Sequence, residues 1–253
     1  MPRVTSIQDD NSRGHFPIKK SECLPLSSFL NTITYTEYCH ILTRIIGYFI
    51  TDLFRGTIRT MGSQWGYDRV HLRAKHEGYR SRAAYKLLEI QHKFAIIRPD
   101  DNIVDLGAAP GSWLQVERTL TQAKVIGIDL NPIAALDGVE TIEGDLNDPE
   151  VQKKVLTMLG VVNVVVCDAS PKLSGHKSYD QARIIELNEQ ALAFACKVSK
   201  KGGNFVVKSF QGTDFPELYA MTKQHYYSVK TCITRSTRKG STELYIVAKN
   251  FVG

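Results

Sequence analysis

The sequence predicts an α/β fold in which a mostly parallel seven-stranded sheet with one antiparallel edge strand carries helices on both faces. Three observations predict it. From residue 103 onward short apolar runs alternate with helical stretches, a glycine-rich loop joins the first run directly to a helix, and the last two runs follow one another across a polar turn with no helix between them. Repeated βα alternation places helices on both faces of a parallel sheet, and two strands joined by a short turn pair antiparallel.

Ala83, Ala84, Leu87, Leu88 and Phe94 recur at helical spacing and predict a helix through Ser81–Lys93, after which Pro99 interrupts the chain. Ile103–Leu106 reads as a buried strand that runs into Gly107-Ala108-Ala109-Pro110-Gly111 and then a helix. Lys124–Asp129, Val139–Ile142, Val161–Cys167 and Asn204–Lys208 are the next strand candidates, with helical stretches at Pro149–Leu159 and Asp180–Lys200. Tyr227–Ile233 and Glu243–Ala248 form the antiparallel pair at one edge. The chain shows no internal repeat.

A chain of 253 residues is long enough for one sizeable domain and an appendage. The domain is expected at residues 61–253 and an extension of unassigned role at residues 1–60. That extension is polar and turn-prone before an apolar patch, Ile41–Ile50, which Arg44 interrupts. The patch is too short for a membrane span, which needs about 20 apolar residues, and the N-terminus lacks the plan of a signal peptide. Three descriptions of residues 1–60 stay open: a short amphipathic helix packed on the domain, a leader, or sequence upstream of a natural start at Met61.

A composition of 43% hydrophobic and 23% charged residues is that of an ordinary globular protein. The five cysteines, Cys23, Cys39, Cys167, Cys196 and Cys232, are scattered and include no CxxC pair, which argues against a disulfide framework or a zinc site. The seven histidines show no metal-ligand spacing, so no metal is expected, and the compartment is expected to be reducing, hence cytoplasmic. The net charge of +6 favours a polyanionic partner, and its distribution says more. Between Asp68 and Lys93 stand Arg69, Arg73, Lys75, Arg80, Arg82, Lys86 and Lys93 against Asp68, Glu77 and Glu89; between Lys223 and Gly240 stand Lys223, Lys230, Arg235, Arg238 and Lys239 against no acid. A single run of this kind is ordinarily a solvated face. Two runs flanking one candidate site point to nucleic acid.

The loop Gly107–Gly111 follows a strand and opens a helix, a setting in which glycines let a ligand approach backbone where a Cβ would clash. Its spacing is G-A-A-P-G rather than G-x-G-x-x-G, and it lacks the Lys-Ser/Thr of a phosphate-binding P-loop, which argues against nucleoside triphosphate hydrolysis. Asp129 ends the second strand, where a carboxylate can accept both hydroxyls of a cofactor ribose, and Asp145, just past the third, can accept from an adenine amino group. Either aspartate alone is as well explained as a cap or turn residue. Three successive strand ends carrying a glycine loop, Asp and Asp are better explained by a ligand, because open α/β sheets bind ligands at the carboxyl ends of their strands.

Asp168 ends the fourth strand and Lys208 the fifth, and a lysine directly after a buried apolar run calls for an anion nearby. Lys86 lies among apolar neighbours in the early helix, and Glu243 opens the last strand. If the four converge, two carboxylates hold two ammonium groups beside the cofactor. Without the cofactor loop, two ordinary salt bridges would be the better explanation.

The strings Arg80-Ser81-Arg82-Ala83-Ala84-Tyr85-Lys86-Leu87-Leu88-Glu89-Ile90, Asp105-Leu106-Gly107-Ala108-Ala109-Pro110-Gly111-Ser112-Trp113, Asp168-Ala169-Ser170-Pro171, Val206-Val207-Lys208-Ser209-Phe210-Gln211-Gly212 and Ser241-Thr242-Glu243-Leu244-Tyr245 together resemble the FtsJ/RrmJ family of RNA ribose 2′-O-methyltransferases. The resemblance runs from about Asp68 to Lys249 with its five motifs in order. It implies a Rossmann-like class I fold, S-adenosylmethionine as cofactor, a catalytic tetrad at Lys86, Asp168, Lys208 and Glu243, and cofactor contacts at Gly111, Trp113, Asp129, Asp145 and Asp168, to which the loop reading adds Gly107. Two departures from the common bacterial pattern leave the tetrad intact: Ser112 replaces a second glycine, and Asp168-Ala169-Ser170-Pro171-Lys172 replaces a D-M-A-P-N run, as in archaeal members. The implied substrate is a uridine of large-subunit ribosomal RNA in a ribosomal particle, and the implied enzyme is monomeric. Related members act on tRNA anticodon loops, and an RNA-binding ribosome assembly factor with a vestigial pocket is the reading from another class.

The implied chemistry is attack of a ribose 2′-oxygen on a sulfonium methyl, with alignment of two reactants and removal of the hydroxyl proton as the enzyme's tasks. Lys208 is the candidate general base, with Lys86 as the neighbouring cation that favours its neutral form. In the alternative, a charged Lys208 stabilises the developing alkoxide and water takes the proton.

Overall fold

The computed structural model describes residues 65–253 apart from Leu173 and Lys239, all within the unit Met61–Gly253. The apolar patch Ile41–Ile50 lies outside the described residues. The elements are α1 (Trp65–His76), α2 (Ala84–Phe94), β1 (Ile103–Leu106), α3 (Ser112–Leu120), β2 (Val125–Asp129), β3 (Val139–Glu143), α4 (Pro149–Leu159), β4 (Val162–Cys167), α5 (Lys177–Val198), β5 (Ser199–Phe210), α6 (Phe215–His225), β6 (Tyr226–Cys232) and β7 (Glu243–Phe251).

Seven strands form one sheet in the order β3-β2-β1-β4-β5-β7-β6. The pairs among β1 to β5 are parallel, and β7 runs antiparallel to both β5 and β6. The antiparallel pair therefore occupies one edge, as expected, with the reversed strand β7 one place in and β6 outermost. Burial explains that order: Leu244 to Ala248 are all buried, whereas Tyr227, Lys230 and Thr231 of β6 are exposed. The order of strands reverses between β1 and β4, which opens a crevice at their carboxyl ends.

Successive strand residues point to opposite faces, and the core divides accordingly. On one face Val104, Leu106, Ile126, Val165, Phe205 and Ile246 pack with Val155 of α4, Leu192 and Phe194 of α5 and Leu218 of α6. On the other, Ile103, Val125, Val164, Val206 and Tyr245 pack with Leu87 and Ile90 of α2 and Leu114 of α3. Each such side chain contributes about 1.5–3 kcal/mol on burial, which fixes the helices against the sheet and so holds the strand ends in register.

Several boundaries differ from the sequence reading. Helix α2 begins at Ala84 rather than Ser81, because Ser81 makes a turn in which its hydroxyl accepts from the Ala83 amide at 3.1 Å. Helix α5 spans Lys177–Val198 instead of Asp180–Lys200, and β5 runs from Ser199 to Phe210, so Lys208 stands two residues before its end. Pairing with β7 extends β5 to Phe210, opposite Glu243. Helices α1 and α6 are additional; α6 buries Leu218 and Thr222 and half-buries Phe215, Tyr219 and Met221 against the sheet, a stripe at helical spacing that the sequence reading passed over.

Candidate active site

The loop after β1 is shaped by its glycines. Gly107 has φ +72°, and a Cβ there would lie 2.4 Å from that of Ala169, so only glycine lets the loops after β1 and β4 meet. Gly111 (φ +103°) caps α3, and a Cβ would meet the Arg80 guanidinium. That guanidinium donates to the Pro110 and Ala135 carbonyls, each at 2.8 Å. Arg80, counted in the first basic run as a candidate for phosphate, is thus committed to holding the loop, and Lys86 of the same run to an internal ion pair.

Beside this loop the ends of β2 and β3 repeat one device. Asp129-Leu130-Asn131 and Asp145-Leu146-Asn147 carry the same residues, and in each the aspartate Oδ1 accepts from the asparagine amide (2.8 and 2.9 Å) and side-chain nitrogen (2.9 and 3.0 Å). Asp129 also accepts from the Ala109 amide through Oδ2 at 3.0 Å, which ties β2 to the glycine loop. A cavity of about 570 Å³ opens here, lined by Gly107, Asp129, Leu130, Asp145, Leu146 and Asp168, and across from them by Arg183, Glu186, Leu187 and Gln190 of α5. Leu130, 69% exposed, is apolar surface turned into this cavity. The sequence reading missed the α5 contribution. Its signal was present in the spacing 183, 186, 187, 190, one face of a helix.

Gly111 and Trp113 lie outside the walls of that cavity. Trp113 is buried, donates from Nε1 to the Ala83 carbonyl at 2.9 Å and packs against Tyr245 with ring centroids 5.8 Å apart. It lines a small neighbouring pocket with Ser81, Ser112, Asp105 and Asp168.

At the mouth of the cleft the four candidate residues come together as two ion pairs. Lys86 of α2 donates to Glu243 Oε1 at 2.6 Å, and Lys208 of β5 lies 3.3 Å from Asp168 Oδ1 while also donating to the Asp168 carbonyl oxygen. Tyr245, to which the sequence reading gave no role, joins them. Its hydroxyl donates to Asp168 Oδ1 at 2.7 Å, and its ring lies 5.8 Å beneath the Lys86 ammonium. Burial first, then the charges of Asp168 and Glu243, hold the Tyr245 phenol protonated well beyond its ordinary range. Thr237 donates to Glu243 Oε1 at 3.1 Å.

Beneath both halves lie two carboxyls that the sequence reading did not single out. Asp105 of β1 and Glu117 of α3 are fully buried, and neither has a hydrogen-bond partner among the described residues. Burial holds both up, joined at Asp105 by the neighbouring Glu117, Asp168 and Asp129; Glu117 is pushed up to about 8. Among the described residues no group of His, Cys, Asp and Glu could hold a metal ion, and no helix is long and apolar enough to cross a membrane.

A Rossmann-like sheet, an acidic cleft at its strand ends and paired lysines and carboxylates at the cleft mouth define the class of α/β methyltransferases. Within it the chain belongs to the FtsJ-like methyltransferase family, whose model matches residues 79–251. The chain is 71% identical over 193 residues, 76% of its own length and 100% of the relative's, to Ribosomal RNA large subunit methyltransferase E of Methanoregula boonei. It is 46% identical over 187 residues, 73% and 69% of the two lengths, to the protein of that name in Methanosarcina acetivorans. These relatives are archaeal, as the run Asp168–Lys172 implied. A solved structure described as a ribosomal RNA methyltransferase of Plasmodium falciparum superposes with TM-score 0.63 at 30% identity, covering 69% of this chain and 100% of that one. The methyl donor is S-adenosylmethionine.

Proposed function

We propose that the enzyme methylates the 2′-hydroxyl of a uridine in large-subunit ribosomal RNA. The observation that carries this reading is the convergence of Lys208–Asp168 and Lys86–Glu243 at the mouth of the cofactor cleft. The relatives' names, which specify large-subunit ribosomal RNA, support the substrate.

The residues of the cleft suit the cofactor. Asp129 has carboxylate oxygens for ribose hydroxyls, Asp145 one for an adenine amino group, and Leu130 and Leu146 supply apolar surface for the base in a cavity of about 570 Å³. Gly107 and Asp168 complete the proposed contacts within this cavity, Trp113 lines the small pocket beside it, and Gly111, which lines neither, contributes through the shape of the loop. When bound, the cofactor supplies a sulfonium methyl group as electrophile. Lys208, oriented by the Asp168 carboxylate and carbonyl, first gives up its own ammonium proton to solvent and, as the neutral amine, takes the proton of the ribose hydroxyl as its oxygen becomes a nucleophile. Lys86, fixed by Glu243, places a second positive charge where negative charge grows on that oxygen. Tyr245 holds Asp168 so that both functions keep their geometry. Requirement for a 2′-hydroxyl makes RNA rather than DNA the substrate. The same reading takes residues 61–253 as the catalytic domain, residues 1–60 as dispensable for catalysis, and the enzyme as a cytoplasmic monomer that uses no metal.

The test is methyl transfer from labelled S-adenosylmethionine to large ribosomal subunits lacking the modification, to free ribosomal RNA and to tRNA, with the labelled nucleotide mapped. The full chain and residues 61–253 are both expected to label a ribose of a uridine in the subunit, and Lys208→Ala to label nothing. Label in tRNA alone would replace the proposed substrate, and label in none would favour a non-catalytic RNA-binding factor.

A further inference from the structure

Helix α2 carries two side chains, three residues apart, that reach the connection between β6 and β7. Lys86 pairs with Glu243 at its far end. Glu89 grips the near end: Oε2 accepts from the Arg235 amide at 2.6 Å, and Oε1 accepts from both the Ser236 amide, at 3.2 Å, and the Ser236 hydroxyl. One carboxylate thus receives three hydrogen bonds from two adjacent residues, an arrangement that uses both its oxygens. The segment it holds closes on itself through Thr234 and Thr237, whose hydroxyls lie 3.0 Å apart, and Thr237 then donates to Glu243. The chain from Glu89 to the Lys86–Glu243 pair is therefore continuous.

The clamped segment presents exposed Arg235 and Arg238 beside the site, within the run from Lys223 to Gly240 that contains no acid. A backbone that must offer arginines at a fixed distance from a reacting ribose needs an anchor on a rigid element, and α2 is rigid because Leu87 and Ile90 are fully buried in the core.

We propose that Glu89 is a positioning residue that sets the β6–β7 connection so that Arg235 and Arg238 engage substrate phosphates flanking the target nucleotide. This rests on the RNA reading above. Glu89 touches neither cofactor nor reacting atoms and acts through the segment it holds.

The experiment compares wild type, Glu89→Gln, the pair Arg235→Ala with Arg238→Ala, and the triple variant. A carboxamide keeps the size of Glu89 but offers one acceptor and turns a donor toward an amide. Glu89→Gln is expected to raise KM for RNA about tenfold and lower the salt slope of RNA binding by about one to two, as loss of one or two phosphate contacts does. Affinity for S-adenosylhomocysteine is expected to stay at the wild-type value, which also reports that the variant is folded. In the triple variant Glu89→Gln adds little to the arginine changes, because both act on one contact. Wild-type KM in Glu89→Gln, or a fully additive triple variant, overturns the proposal. Hydrogen exchange of the amides of 235–237 separates this from failure of the RNA reading. If wild type labels no RNA, the functional reading falls and takes the proposal with it, even where exchange is faster in Glu89→Gln. Faster exchange with unchanged RNA binding in an active enzyme overturns the positioning role alone.

Discussion

At the ends of β2 and β3, Asp129–Asn131 and Asp145–Asn147 make one three-residue turn twice, each aspartate bonding the asparagine two residues on. On the other side of β1, Lys208 finds Asp168 from 40 residues away and Lys86 finds Glu243 from 157. The two acidic turns of the cofactor half are thus set by local backbone conformation, although α5 and the loop after β4 complete its walls, whereas the catalytic half consists of side chains that only the closed sheet brings together. The difference has a functional counterpart. Local turns form a rigid cradle for a small molecule, whereas the long-range pairs exist only when β5, β7 and α2 are docked.

The comparison breaks most sharply at Lys208. Replacing it with alanine or arginine is expected to lower kcat by about 10²–10⁴, the range for lost proton transfer, while affinity for S-adenosylhomocysteine stays within a few-fold. Arginine keeps the charge but takes no proton near neutral pH, so substantial activity in Lys208→Arg, measured under single-turnover conditions, would move Lys208 from base to alkoxide stabiliser.

The opposite split is expected at Asp129. Asp129→Ala removes a carboxylate that receives the Ala109 amide and the Asn131 amide and side chain. Hydrogen bonds to a charged group contribute about 1.5–3 kcal/mol, so cofactor affinity should fall by about 10- to 150-fold in a calorimetric titration, with kcat at saturating cofactor much less affected. A kcat loss like that of Lys208→Ala would mean that the two halves are not separable.

A smaller effect comes from the buried floor they share. Glu117 titrates at about 8 in the folded protein and near 4.3 when unfolded, so between those values the native state binds more protons. Stability contributed by this group therefore falls as pH rises from about 4.5 to about 8 and levels off above. Asp105 acts in the same direction. Glu117→Gln removes that slope: by urea denaturation its stability relative to wild type should rise by about 1–3 kcal/mol between pH 5 and pH 8, the range for an uncompensated buried group. A difference independent of pH would show that the carboxyl is neutralised by some other contact.

Much of the fold was legible because its signals are local. Apolar runs at Ile103–Leu106 and Val161–Cys167, the glycine loop and the helix start at Pro149 act through neighbours in the chain. The placement of Asp129 and Asp145 was legible for the same reason. Helix α6 was passed over although Phe215, Leu218, Tyr219 and Thr222 fall at helical spacing, and the extension of β5 to Phe210 was not legible, since its partner Glu243 is 33 residues on. Arg80 read as one more basic residue. Its two carbonyl acceptors, Pro110 and Ala135, come from loops that meet only in the folded chain.

The sequence by itself determined the βα order and the strand ends at which the acidic residues fall, because propensity, apolar period and glycine geometry are properties of short segments; the four residues at the cleft mouth were singled out as a set by the resemblance of their motifs. Tertiary structure alone decided that β7 inserts between β5 and β6, that Tyr245 ties Asp168 beneath Lys86, that α5 supplies a wall of the cavity, and that Glu89 holds the β6–β7 connection. Those outcomes depend on which surfaces bury most area together and on contacts between residues far apart in the chain, and no local pattern encodes either.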